Sequence, residues 1–116
     1  MSDTFSVSSE RPGDDLGLVV LAGEVDIFTA PQFKECLLEL LDSGVKRLVV
    51  DLSGVTFIDS TALGVLIGGV RRVHSAGGSM TIVVTTRPVE RVLSVTGLDR
   101  VFSMHATRDE AIAALA

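Results

Sequence analysis

A chain of 116 residues is one domain's worth of sequence, long enough to bury roughly two-thirds of its unfolded surface in a single core. The lone cysteine, Cys36, excludes a disulfide framework or a cysteine metal cluster. With 15 Asp and Glu against 10 Lys and Arg, the net charge of −5 leaves no basic stripe for a phosphate backbone and argues against a nucleic-acid partner. The opening MSDTFSVSSE has no basic segment or long apolar run. The longest mainly apolar run, Ala62 to Val70, is about half the roughly 20 residues a membrane span needs, so a cytoplasmic protein without a membrane partner is expected.

Phe5 and Val7 alternate with serines as in a short edge strand, and Pro12-Gly13-Asp14-Asp15 is turn chemistry, which predicts a hairpin into a second strand over 18–22. That strand ends at Gly23-Glu24-Val25-Asp26, leaving Glu24 and Asp26 near its carboxyl end. Thr29-Ala30-Pro31-Gln32 has the spacing of a capping box with proline in the first turn. It opens a helix that buries Phe33, Leu37, Leu40 and Leu41, carries Cys36 as an ordinary packed thiol, and stops at Gly44. The continuous run Leu48-Val49-Val50 predicts an inner parallel strand covered on both faces, closed by Asp51.

From Ser60 the period becomes helical: Leu63, Leu66, Ile67, Val70 and Val73 form one apolar stripe that should face a sheet. At 100° per residue the opposite face carries Ser60, Gly64, Gly68, Arg71 and Ser75. Gly64, Gly68 and Gly69 each cost up to roughly 1 kcal/mol relative to Ala inside a helix, so something must offset them. Close packing within the fold suits Gly69, near the edge of the stripe; a partner's surface suits Gly64 and Gly68. Ser60 itself, directly after Asp59, reads first as an N-cap, although a cap explains no glycine-lined face beneath it.

Gly77-Gly78 is a turn into a strand over 80–84. A helix over 86–97 follows, with Pro88 in its first turn, Val89, Val92 and Leu93 inward and Gly97 at its end. Val101-Phe102 fits a brief strand. Thr107-Arg108-Asp109-Glu110 is a second capping box opening a last helix with Ala111, Ile112 and Leu115 inward. The order β-β-α-β-α-β-α-(β)-α predicts an α/β domain whose later strands are parallel, with right-handed crossovers. In such sheets functional residues gather where strand carboxyl ends meet helix amino ends, which nominates Asp26, Asp51, Asp59 and Ser60.

Enzyme chemistry finds little support. There is no phosphate-cradling loop ending in Gly-Lys-Ser/Thr, no paired-cysteine zinc spacing and no HExxH helix. His74 lies about four helical turns, roughly 21 Å, from Ser60, and His105 reads as a surface histidine. A phosphoacceptor role for Asp51 would need a lysine at a later strand end, whereas Lys34 is on the first helix and Lys46 starts a strand. No catalytic residue and no cofactor is expected.

Asp59-Ser60-Thr61-Ala62-Leu63-Gly64, together with Gly23-Glu24-Val25-Asp26 before Thr29-Ala30, resembles the bacterial anti-sigma factor antagonists built as a single STAS domain. The likeness runs essentially end to end, through the glycine pair before Met80, the Pro88 helix and Thr96-Gly97-Leu98. It implies a STAS-like domain over residues 1–116, with a mixed, mostly parallel sheet of four to five strands and about four helices. It also implies a partner switch. Unphosphorylated, such a protein binds an anti-sigma factor that is a serine kinase holding ATP or ADP, and so frees a sigma factor; phosphorylation ends the contact and a serine phosphatase restores it. Carried onto this chain, the modified serine is Ser60, Asp59 and Asp26 match the flanking acidic positions, Thr61 is its neighbour and Gly64 the small position one turn on. The partner surface is then expected over Asp26, Asp59, Ser60, Thr61, Gly64, Gly68 and Arg71. One position departs: many members have glycine where this chain has Ala62, and a methyl group there would bear on how closely a kinase approaches.

Overall fold

The computed structural model describes residues 5–115, so the reading of no leader at residues 1–4 lies outside the described residues. Two long apolar strands form the spine: β2 (Leu16–Val25) pairs in parallel with β3 (Arg47–Ile58). The predicted hairpin sets β1 (Ser6–Glu10) antiparallel on the outer side of β2. Beyond β3, β4 (Ser79–Val83) and β5 (Ser103–His105) add in parallel, giving a five-stranded sheet in the order β1-β2-β3-β4-β5.

Every parallel step moves the same way across the sheet, so right-handed crossovers put the three connecting helices on one face. These are α1 (Ala30–Asp42), α2 (Ser60–Ser75) and α3 (Arg87–Val95). Phe33 and Leu37 of α1, Leu66 and Val73 of α2, and Val89 and Leu93 of α3 share one core with the sheet. A last helix, α4 (Arg108–Ala113), covers part of the opposite face, packing Ala111 and the following Leu115 on Leu16, Leu18, Val49 and Val83. The mixed sheet with four helices is the architecture that the order of elements implies.

β3 departs most from expectation. It continues for seven residues past Asp51, and its inward residues there, Leu52, Val55 and Ile58, are spaced by three. Two bulges explain the spacing. Leu52 and Ser53 together oppose Leu21, and Val55 and Thr56 together oppose Gly23, so each irregularity adds one residue to β3 and stretches the period of two to three. Gly54 sits at the first bulge, where an added Cβ would lie 3.2 Å from the Leu21 carbonyl oxygen. Beyond Asp51 the strand has outrun β4, and side chains take its carbonyls: Thr86 Oγ1 donates to Val55 O at 2.9 Å and Thr85 Oγ1 to Ser53 O at 3.4 Å.

Asp51 is therefore not at the functional edge. It is 2% exposed, in mid-strand, on the face that α4 covers. Its Oδ1 accepts from Ser53 N at 2.9 Å and its Oδ2 from Arg108 Nε. Burial pushes its pKa up, but the hydrogen bonds from Ser53 and Arg108 together outweigh that and hold the carboxyl below its usual value. The predicted strand at Val101-Phe102 is also displaced: a 3-10 turn at Leu98–Arg100 leads to Phe102 as a buried plug, and β5 begins one residue later.

Candidate functional site

Val25 and Ile58 are register partners at the ends of β2 and β3, so the chain leaves both strands side by side, and Asp26 and Asp59 are the next residues. Asp59 N donates to Val25 O at 3.2 Å, tying the two exits together. Asp26 then organises its own turn. Its Oδ1 accepts from Phe28 N at 2.9 Å and Thr29 N at 3.2 Å, while its carbonyl accepts from Ala30 N at 2.7 Å. The capping box expected at Thr29 does not form. Thr29 Oγ1 accepts from Asp26 N at 2.9 Å and donates to Glu24 O at 3.0 Å, bracing the turn rather than capping a helix amino group.

The second strand exit is capped by Asp59 rather than by Ser60. With extended backbone angles, Asp59 accepts from Ala62 N at 3.1 Å, the side-chain contact of an N-cap. Ser60 becomes the first residue of α2, solvent-exposed, with its cap duty already discharged by its neighbour. Glu24 and Thr61 are also exposed, whereas Asp26 and Asp59 are half-buried. The edge presents an exposed hydroxyl next to Asp59, with Asp26 at the adjoining strand exit, at the positive end of a sixteen-residue helix. Ala62 faces the other way. It is fully buried in the core beneath the sheet edge, so its methyl group adds nothing to the outer surface, and the expected effect of this departure on a kinase's approach has no structural basis.

Further along α2 the three helix glycines separate. A Cβ on Gly69 would meet Leu37 Cδ2 at 2.7 Å and Met80 Sδ at 3.7 Å, so the small residue there lets Leu37 pack close against α2. At Gly64 and Gly68 an added Cβ would meet nothing within 4 Å. Both line a groove of about 860 Å³ between α1 and α2, with Thr61, Arg71, Lys34 and Leu38 among its walls. Thus Asp26, Asp59 and Ser60 meet at the carboxyl edge, and Thr61, Gly64, Gly68 and Arg71 continue from it along the groove.

The sequence model of the STAS domain matches residues 8–111. The chain belongs to the STAS domain family. A relative in Thermotoga maritima is 36% identical over 100 residues, covering 85% of this chain and 88% of its own. The anti-sigma-B factor antagonist of Bacillus subtilis is 34% identical over 88 residues, covering 76% of this chain and 80% of its own. Among solved structures, an anti-sigma factor antagonist from Mycobacterium paratuberculosis superposes with a TM-score of 0.88 at 27% identity, over 99% of this chain and 98% of that one.

Sequence reasoning missed part of this STAS domain's surface. Ile27 and Phe28, at the tip of the Asp26 turn, are 62% and 84% exposed, and Phe57, just before the β3 exit, is 48% exposed. These large apolar side chains flank the Ser60 edge, where the centre of a protein contact is characteristically apolar or aromatic. Their signal was legible: Ile27-Phe28 belongs to neither the strand before it nor the helix after it, so its apolar residues have no core to enter. Lys34 and Leu38 were missed because only packing brings α1 beside α2.

Proposed function

We propose that residues 1–116 act as one STAS domain that serves as a cytoplasmic anti-sigma factor antagonist, switched by phosphorylation of Ser60. Unphosphorylated, it binds an anti-sigma factor that is also a serine kinase, holding ATP or ADP, and thereby frees a sigma factor. A serine phosphatase reverses the modification. The observation that carries this reading is the exposed Ser60 hydroxyl at the first position of α2, uncommitted because Asp59 is the cap. The names of the B. subtilis and M. paratuberculosis relatives support the antagonist role.

The switch follows from charge. A phosphate adds about −1.5 to −2 charges at pH 7, and at a helix amino end the dipole favours it by roughly 0.3–1 kcal/mol, partly offset here by repulsion from Asp59 and Asp26. The fold loses little. Pressed against a partner that holds nucleotide phosphates, the same charge costs several kcal/mol, and about 3–4 kcal/mol weakens binding roughly 100- to 1000-fold.

A second reading is a constitutive STAS interaction module in another signalling or stress-sensing complex, with Ser60 an ordinary first-turn residue. The α1–α2 groove favours it, because Ser60 is not among the groove's walls. Capture from source-cell lysate with Ser60→Ala, Ser60→Asp and enzymatically phosphorylated baits separates the two. The switch predicts an ATP-binding kinase held by the alanine form and lost by the charged forms; equal capture by all three would leave only the constitutive module.

A further inference from the structure

The groove between α1 and α2 has a charge that the chain as a whole does not. Lys34, Arg71 and Arg72 line it, three of the chain's ten cations, and among the described residues no carboxylate does. Arg72 is shared with Asp42 at 3.6 Å at the far end, whereas no ion pair among the described residues takes Lys34 or Arg71. Two of the three acidic residues of α1 are on its other flank: Glu35 and Glu39 lie near Cys36, whose thiol pKa is raised by burial and by those two charges, while Asp42, at the far end, is the partner of Arg72. Short of that far-end pair, α1 turns Lys34 toward the groove and Glu35 and Glu39 away from it.

Between the cations the floor is apolar and shallow. Ala30, Leu37, Leu38 and Val65 supply the walls, and Gly64 and Gly68, one turn apart, leave α2's backbone uncovered along the groove. Nothing in the fold requires those two glycines, as the open space at each Cβ position indicates. From Thr61 to Arg72 the lining follows α2 for roughly 16 Å, about three helical turns. A segment that fills it must be narrow, able to approach a bare backbone, apolar on the contact side and negative on its flanks.

We propose that this groove receives an acidic amphipathic helix of a protein partner, with small and apolar residues on Gly64 and Gly68 and carboxylates reaching Lys34 and Arg71. Helix-in-groove recognition supplies affinity through the apolar stripe, and the flanking charges choose orientation and partner. The groove is lined by Thr61 but not by Ser60, so the contact adjoins the Ser60 edge without using its hydroxyl.

The test is an amide NMR titration of the full chain with two stapled helical peptides of about 16 residues, long enough to cover the groove. Both carry the same Leu and Ala stripe; one has glutamates on its flanks and the other lysines. The expected result is shifts centred on Lys34, Val65, Gly68 and Arg71 with the glutamate peptide, bound at least about tenfold tighter than the lysine peptide and more weakly as salt rises. The double variants Lys34→Glu/Arg71→Glu and, more mildly, Lys34→Gln/Arg71→Gln should lose about tenfold or more and severalfold, respectively. Gly68→Leu should lose binding by filling the groove. Equal binding of both peptides, or shifts elsewhere, would overturn the proposal. So would the same shifts from inorganic phosphate alone, which would mean a small-anion site, or concentration-dependent shifts at the groove without peptide, which would mean a second copy of the chain.

Discussion

At the edge of the sheet one residue's displacement decides which side chain is structural and which is available. A serine and an aspartate in succession at a helix start are both good caps, and the sequence reading put the cap on Ser60. The extended backbone at Asp59 and its bond to Ala62 N assign the cap to the aspartate. Asp59→Ala should therefore lower stability by about 1 kcal/mol, while Ser60→Ala stays within about 0.5 kcal/mol, both read from chemical denaturation. Equal losses would mean that the two share the cap. The helix glycines make a parallel case. Gly68→Ala should raise stability by up to about 1 kcal/mol, since its methyl group enters open space, and Gly69→Ala should lower it, since the new methyl would press on Leu37. Thermal melts of the two variants should move in opposite directions.

Among the elements, β3 and α4 carry the least expected features. The two bulges let β3 turn away from β4 after Asp51, so that its last residues run on with β2 alone and deliver Asp59 beside Asp26. Without them Leu52, Val55 and Ile58 could not all face one core. α4 is only six residues long and depends on three ties: the Thr107 cap on Glu110 N, the bond from buried Thr81 Oγ1 to Ala111 O at 2.9 Å, and the Arg108–Asp51 pair. Asp51's depressed pKa stabilises the fold fully above the unfolded carboxyl value of about 3.9, and that contribution is lost as pH falls through the folded value. Arg108 is partly solvated, so Arg108→Ala should cost about 1–2 kcal/mol at pH 7 after screening. The gap between this variant and the parent should close below about pH 4 in acid titrations followed by circular dichroism. A gap unchanged into acid would remove the pair from the account.

For the molecule as a whole, the proposed switch predicts a separation between stability and affinity. The phosphorylated and unphosphorylated forms should melt within a few degrees of each other, because a net change below about 1 kcal/mol moves a midpoint by no more than about 4 °C in a domain of this size. Partner affinity should differ 100- to 1000-fold by the argument above. A large loss of stability on phosphorylation would move the effect from the interface into the fold.

How much of this was present in the sequence depends on range. The stripes of α1, α2 and α3, the β1–β2 hairpin and the parallel order are local patterns of period, turn and cap, and they are legible because burial of one face imposes its repeat on neighbouring residues. The motif around Ser60 was likewise readable as a family resemblance. What depends on residues far apart was not. The second half of β3, past Asp51, was hidden because bulges turn a period of two into three, which matches neither strand nor helix. Asp51 looked like a site because its partner, Arg108, is 57 residues away, and only the sheet's second face brings them together. The groove needs two helices laid side by side. Sequence determined the elements and the candidate serine, because short-range sterics and periodic burial are written residue by residue. Tertiary structure alone decided which polar groups are spent inside the fold and which surfaces remain to bind, because that is settled by pairings between segments that no local pattern encodes.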